Sequence, residues 1–484
     1  MSFGRTVVSA VSWSTGIKAG FQLVTWAMTL VVIRILTPDD YGLMAITQVF
    51  ITIMSGFSDL GLGDALVQQE DTPGPVVASV FGMIILLSAG MTILLCVAAY
   101  PIAGWYHDPR LIPLVQVGSA GFLLNGLMTL PRVYLTKSLR IRPMFVMELS
   151  SGMIGSVVVL ALAYAGYGVW ALMLGVLAGN IIRLIGFAVL TAEYYVWPSL
   201  DLKLIRPLYA FGAYRTLSFL AWVAFTSADT LILGRWLGPA ELGLYSVAMN
   251  FACMPLAKIA PVINSVAFPA FAMVQRQPAK ARVYAVKAMR LMAMLSVPVF
   301  FGISALAPEI VDLVFGPKWE AAKPILAVLS LAMTFRAILL VIPNYLQGIG
   351  DARASFWCTA IGAVLFPPAF LVGCHWGVAG VCYAWLLGYP LIFAFNALIA
   401  CRRARLEFKA LLMTPLRPMV AGVAMLIAVA ALRPYLPPGE SEIGRVAILV
   451  AAGAGTYGTV MILAFRMLVL EIVFLFDRRR SRVA

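Results

Sequence analysis

The stretch at residues 34–43 reads RILTPDDYGL, and a second stretch at residues 235–244 reads RWLGPAELGL. Arginine, leucine, proline, glycine and leucine stand at the same places in both, and each stretch lies between two long apolar segments. An internal repeat at this distance in an apolar chain is typical of transporters that consist of two similar helical bundles around a central site. The repeat therefore predicts a duplicated membrane fold.

The composition is that of an integral membrane protein. Of the 484 residues, 62% are hydrophobic and 12% are charged, whereas a soluble domain has roughly 25% charged residues. A helix needs about 20 apolar residues to cross a bilayer, so the chain has room for about 14 spans and for no large soluble domain. We predict spans at residues 15–36, 41–62, 77–100, 111–135, 144–165, 168–190, 208–233, 241–266, 284–306, 322–346, 354–374, 377–400, 415–433 and 443–467.

The loops predict the orientation of the chain in the membrane. Loops that follow even-numbered spans collect lysine and arginine, and the basic tail at 478–482 is on the same side. The opposite loops hold many of the acidic residues. Because cytoplasmic loops are enriched in cations, both termini are expected in the cytoplasm. The same distribution accounts for the net charge of +14, so no nucleic-acid partner is expected.

Two further matches extend the repeat. Residues 131–135 resemble residues 343–346 with one gap, and Gly168 opens the sixth span as Gly377 opens the twelfth. The spacing between matched positions is nearly constant, so the repeating unit contains six helices. An even number of helices gives both copies the same orientation, which makes this a parallel repeat.

The resulting prediction is an all-α polytopic membrane protein of about 14 transmembrane helices. Residues 1–200 form an N-lobe with helices 1–6, and residues 201–409 form a C-lobe with helices 7–12. Residues 410–484 add two C-terminal helices and a basic cytoplasmic tail.

Several cations lie inside the predicted spans, where charge is costly and usually faces a wet interior. Arg336 is the deepest, near the middle of the tenth span, and arginine cannot escape by losing its proton. The others lie in the cytoplasmic halves of their spans, where snorkelling to the headgroups is an equally good explanation. Together they suit an anion, because guanidinium groups bind phosphate oxygens with two hydrogen bonds. The candidate substrate-binding residues are Arg336, Arg215, Lys258, Arg183, Arg132 and Arg290.

Asp229 and Pro343 are candidates for other roles. Asp229 lies in the outer part of the seventh span and is either a carboxylate that couples transport to H⁺ or Na⁺, or a structural partner of Arg235. Pro343 follows Arg336 in the same span, so it is either a hinge or a static bend.

Catalytic and metal-binding motifs are missing from the sequence. There is no GxSxG, P-loop or HExxH motif, and the chain contains only two histidines. We therefore expect no enzyme activity, no metal and no cofactor beyond a coupling ion.

Three motifs carry a family resemblance: residues 34–43, the stretch DLGLG at 59–63 with ALVQQ at 65–69, and DTLILGRWLG at 229–238. They resemble the polysaccharide transporter family, the Wzx-type oligosaccharide flippases of the multidrug/oligosaccharidyl-lipid/polysaccharide exporter superfamily. The resemblance implies a bacterial inner-membrane protein with a V-shaped, cationic cavity between two six-helix lobes. It also implies alternating access that moves an undecaprenyl-diphosphate-linked oligosaccharide from the cytoplasmic to the periplasmic leaflet, for exopolysaccharide or lipopolysaccharide synthesis.

The same resemblance implies membrane lipids as partners, together with the polymerase and export machinery of the pathway. Arg132 matches Asn344 in the repeat, so the two halves of the cavity differ in charge.

Two rival functions belong to other classes. A multidrug or cation antiporter of the same fold needs intramembrane acids, but cations outnumber acids in these spans. A polysaccharide polymerase or ligase needs catalytic residues on a sizeable outer loop, and none of the predicted outer loops is long. The charge pattern favours the flippase.

Overall fold

The structure is a computed structural model that describes residues 20–480, apart from residues 23, 59–60, 69–72, 195, 202–218, 221, 224, 405 and 437–440. Throughout this part of the chain it contains helices and no strand. Among these described residues, eleven segments are long and apolar enough to cross a membrane, and one of them, Arg353–Ala404, contains two helices. Counting those two separately and adding the helices at Gly20–Ile35 and residues 225–236 gives 14. The predicted all-α polytopic fold is confirmed.

The chain forms two compact units that divide between Gly243 and Leu244. The helices that begin in the first unit are α1 (Gly20–Ile35), α2 (Pro38–Ser58), α3 (Leu62–Gln68), α4 (Gly74–Tyr106), α5 (Leu111–Lys137), α6 (Ile141–Tyr164), α7 (Val169–Leu190), α8 (residues 225–236) and α9 (Pro239–Met273). The predicted domain limits at residues 200 and 409 stay predictions.

The second unit contains most of α9 and all the helices that follow it. These are α10 (Pro278–Ala305), α11 (Ala307–Ile310), α12 (Ala322–Leu339), α13 (Val341–Gly348), α14 (Ala352–Gly373), α15 (Gly377–Ala404), α16 (Phe408–Leu432) and α17 (Glu442–Arg480). Helix α17 is kinked at Phe465, whose φ of −132° is not helical.

Helix packing reproduces the repeat that the sequence predicts. In the first unit α4 packs on α5, α5 on α7, and α6 on α7. In the second unit α10 packs on α12, α12 on α15, and α14 on α15, which are the equivalent pairs. The matched glycines share a backbone conformation that favours glycine, with φ of 56° at Gly168 and 69° at Gly377.

The tenth predicted span is one apolar segment, Ala322–Gly348, whose helix is interrupted at a single residue with helical φ and ψ. Helix α12 ends at Leu339, and α13 begins after Leu340. Pro343 has no N–H to donate to the Leu339 carbonyl, and its ring crowds that carbonyl, so the helix breaks. The Asn344 side-chain amide donates a hydrogen bond of 2.8 Å to the Leu340 carbonyl oxygen, at the start of α13.

The two stretches that reveal the repeat touch each other within the first unit. A β-carbon on Gly42 would overlap the carbonyl group of Pro239, and a β-carbon on Gly243 would overlap the carbonyl group of Pro38. These two contacts are equivalent under the repeat. The first turns of α2 and α9 therefore meet backbone to backbone, and each meeting point has room only for glycine.

Candidate functional site

A polar cavity of about 350 Å³ lies in the first unit and is lined by residues of α2 to α7. Two of the predicted cations line it: Arg132 from α5 and Arg183 from α7. Glu148 from α6 lines it as well. Hydroxyl and amide groups complete the polar lining: Ser58, Ser88, Asn125, Thr129 and Thr136.

Helix α5 contributes a continuous polar face to this cavity. Asn125, Thr129, Arg132 and Thr136 are separated by three or four residues, so they lie on one side of the helix. The two threonine hydroxyls donate to the carbonyls of Asn125 and Arg132, at 3.0 and 2.8 Å, and are therefore satisfied within the helix. The opposite face of α5 packs into an apolar core with α3 and α4.

Arg183 is held in place by a short hydrogen-bond chain. Its Nε donates to the Ser151 Oγ at 3.3 Å, and that hydroxyl donates to the backbone carbonyl of Glu148 at 3.0 Å. The chain fixes the guanidinium of α7 against α6, at the wall of the cavity.

Glycines allow this close approach of α6 and α7. A β-carbon on Gly179 would lie 3.2 Å from the Ser151 carbonyl oxygen, and one on Gly155 would lie 3.0 Å from the Gly175 carbonyl oxygen. Small residues let membrane helices pack with their backbones nearly in contact. Gly179 is one turn before Arg183, so this packing sets the position of the cation.

The Arg132 side chain differs from that of Arg183 in its contacts. Within the part of the chain that the structure describes, its guanidinium makes no hydrogen bond and no ion pair, and the same is true of the Glu148 carboxylate. The guanidinium of Arg132 thus has five N–H donors available toward the cavity. With two cations against one carboxylate, the cavity favours an anion.

Arg336 and Lys258 lie in the second unit. The half-buried Arg336 donates to the Cys253 Sγ of α9 at 3.7 Å. It occupies the last turn of α12, whose open carbonyl groups carry partial negative charge and favour a cation. Lys258 is exposed on α9.

The remaining predicted residues fall in three further places. Arg290 lines a different groove of the second unit, and Arg215 lies outside the described residues. Asp229 is buried in α8, 3% exposed, and accepts a hydrogen bond of 2.7 Å from the Thr230 N–H. The structure therefore brings Arg132 and Arg183 together and places Arg290 and Arg336 elsewhere.

The sequence analysis did not single out Glu148. The available signal was a carboxylate inside the predicted fifth span, where acids are rare and usually functional. Among the described residues, no group of three or more His, Cys, Asp or Glu side chains is placed to hold a metal ion.

Known proteins similar to this chain were found by family, sequence and structure. The family model "Polysaccharide biosynthesis protein" matches residues 31–324. The "Lipopolysaccharide biosynthesis protein WzxC" of Escherichia coli (strain K12) is 28% identical over 410 residues, which cover 83% of this chain and 81% of that protein. The "Succinoglycan biosynthesis transport protein ExoT" of Rhizobium meliloti (strain 1021) is 25% identical over 486 residues, with 99% and 97% covered.

Among solved structures, the "Lipid II flippase MurJ, inward closed conformation" has a TM-score of 0.74 at 14% identity. The match covers 93% of this chain and 99% of that one, so the two share a fold.

Proposed function

Because the chain belongs to the family of polysaccharide biosynthesis proteins, we propose that it is the flippase of such a pathway and moves lipid-linked oligosaccharide units across the membrane. The resemblance to Wzx-type flippases, based on three motifs, is confirmed by the family match and by the two relatives. The fold shared with a lipid flippase is in keeping with this function.

The observation that carries the proposal is the cavity of the first unit, where the uncommitted Arg132 lies beside the anchored Arg183. A sugar diphosphate cannot enter hydrocarbon, since burying an unpaired charge costs many kcal/mol. Two guanidinium groups match the oxygens of a diphosphate, and the surrounding hydroxyl and amide groups match sugar hydroxyls. The lipid chain of the substrate stays in the bilayer while the headgroup is sheltered.

We extend the proposal to direction and energy source. The carrier is undecaprenyl diphosphate, and transport runs from the cytoplasmic to the periplasmic leaflet of a bacterial inner membrane by alternating access. Both termini are cytoplasmic, as the loop charges predict. The buried Asp229 takes up H⁺ or Na⁺, and Pro343, at the break between α12 and α13, is the hinge. The reaction involves no covalent chemistry.

The remaining predicted contacts complete the scheme. Arg336, Lys258 and Arg215 are further cations for the substrate on its path. The polymerase and export machinery of the pathway receive the translocated unit, and membrane lipids surround the protein.

The direct test uses proteoliposomes and a labelled lipid-linked oligosaccharide. Arg132→Gln and Arg183→Gln are compared with Arg140→Gln, whose exposed side chain lies just before α6 and outside the cavity. A hydrogen bond to a charged group contributes about 1.5–3 kcal/mol, so each cavity variant should flip roughly 10- to 100-fold more slowly. The control should keep the original rate. An unchanged rate in a well-inserted Arg132→Gln variant would refute the role of the cavity.

A cellular test separates the flippase from a polymerase. Deletion of the gene should cause complete repeat units to accumulate on the cytoplasmic leaflet. Accumulation of unpolymerised units on the periplasmic leaflet would instead identify a polymerase and contradict the proposal.

A further inference from the structure

A second groove, of about 410 Å³, lies in the second unit between the first half of α10 and the turn that leads into α16. Three cations line it, Arg282, Lys287 and Arg290, with Glu407 as the one carboxylate. None of its lining residues belongs to the polar cavity of the first unit. The groove is thus a separate basic site.

The sequence of α10 arranges the cations along one wall. Arg282, Val286 and Arg290 follow one another at intervals of four residues and therefore form a stripe, and Lys287 flanks it. All three cationic side chains are half-buried. The Arg282 Nε donates to the Pro278 carbonyl oxygen at 3.3 Å, which holds its stem along the first turn of α10. Long cationic side chains of this kind cover apolar surface with their stems and direct the charge to the rim.

The other surfaces of the groove are apolar. Val283 and Val286 line it from α10, and Leu406, 6% exposed, and Ala410 line it from the other side. A site for a free anion needs only charge and hydrogen-bond donors. A groove that combines three cations with aliphatic walls matches a phosphate group attached to glycerol and acyl chains.

The position of the groove agrees with such a ligand. Helices α10 and α16 both begin here, so the groove lies at an end of two membrane-spanning helices. Loop charges predict this end to be cytoplasmic, because Arg402, Arg403 and Lys409 surround it in sequence. Basic pockets between membrane helices on that side are suited to anionic lipid headgroups.

We propose that this groove binds the phosphodiester headgroup of an anionic glycerophospholipid from the surrounding leaflet, with Arg282, Lys287 and Arg290 as its ligands. The assignment removes Arg290 from the predicted substrate site. Aliphatic side chains line this groove, where hydroxyl and amide groups line the cavity of the first unit, and this difference separates the lipid site from the one for the substrate. The bound lipid joins α10 to the start of α16.

The test measures lipid binding rather than transport. Purified full-length protein is titrated with phosphatidylglycerol and followed by native mass spectrometry, with phosphatidylcholine as the neutral probe. The triple variant Arg282→Gln/Lys287→Gln/Arg290→Gln should bind phosphatidylglycerol about 100-fold more weakly, at roughly fivefold for each hydrogen bond lost to the phosphodiester. Binding of phosphatidylcholine should be unchanged.

The matched control is Arg402→Gln/Arg403→Gln/Lys409→Gln, which removes the same charge from exposed positions outside the groove. It should bind phosphatidylglycerol like the original protein. Equal losses in both triple variants would show non-specific attraction and overturn the proposal. So would an unchanged affinity in the groove variant, or equally tight binding of soluble glycerol 3-phosphate, which would identify a free-phosphate site.

Two further variants guard against misfolding and against confusion with transport. Lys287→Gln alone should weaken phosphatidylglycerol binding roughly fivefold, and an unchanged affinity in that variant would also count against the site. Arg132→Gln should bind the lipid normally whether or not it flips oligosaccharide, so failure of one proposal does not imply failure of the other.

Discussion

Replacement of Gly179 by valine should separate α6 from α7. Even a single β-carbon at this position would lie 3.2 Å from the Ser151 carbonyl oxygen, and that oxygen belongs to helix backbone that cannot rotate away. Valine adds two methyl groups beyond that atom. Overpacking of this kind typically costs 1–3 kcal/mol, and we expect a value of about 3 kcal/mol because both contact surfaces are backbone.

Gly186→Val is the matched control on the same helix. Its β-carbon would meet the sulfur and side-chain carbons of Met147, which is flexible and can adopt another rotamer. The expected cost is at the low end of the overpacking range, about 1 kcal/mol. A difference of about 2 kcal/mol corresponds to roughly 4–8 °C in Tm for a unit of this size.

The assay is thermal unfolding of the two purified variants in one detergent, followed by the flipping rate of each. Gly179→Val should unfold at the lower temperature and flip more slowly, because Arg183 loses its hydrogen bond to Ser151. Equal melting temperatures, or a larger loss in Gly186→Val, would refute the argument that backbone contact rather than side-chain volume positions this cation.

Two more predictions concern the helix break and the exposed loop. Pro343→Ala restores the missing N–H, so α12 and α13 should form one continuous helix. We expect an equal or higher Tm in the same detergent and slower flipping in proteoliposomes. Faster flipping would contradict a hinge. Arg110 contacts Asp108 at 2.7 Å and Asp39 at 2.6 Å, and its guanidinium holds the pKa of the Asp108 carboxyl below the usual range. The stabilisation that Asp108 gains from Arg110 is fully present above the ordinary aspartate pKa of about 4. It is lost as the pH falls through the lowered pKa of Asp108. Arg110→Gln should therefore lower the free energy of unfolding by less than about 1 kcal/mol at neutral pH, because Arg110 is exposed. That difference should close in strong acid, and a difference that grows as the pH falls would contradict the assigned pair.

The sequence predicted the structure well where the thickness of the bilayer sets the length of a helix. Apolar segments of membrane-spanning size predicted the helices, and the match of Gly168 with Gly377 predicted equivalent turns that the structure contains. It was a poorer guide to Pro343, near which the helix is interrupted at Leu340, because the outcome depends on how neighbouring groups satisfy the freed carbonyl.

The candidate site was predictable only in part. Arg132 and Arg183 were recognisable as cations inside spans, but their meeting in one cavity depends on how glycines let α6 and α7 pack, which is a tertiary contact. Arg290 showed the same local signal, yet it lines a different groove with Arg282. A charged residue inside a span indicates a polar environment, but its sequence position does not say which cavity or groove supplies that environment.

The mutual contact of Gly42 with Pro239 and of Gly243 with Pro38 has a consequence for how such chains diverge. None of these four residues lines the polar cavity, so steric exclusion alone forbids larger residues at the two glycines, whatever sugar is carried. The two matching stretches at 34–43 and 235–244 therefore do not indicate which sugar the protein carries. Cargo preference therefore has to be sought in the residues that line the cavity rather than in these two glycines.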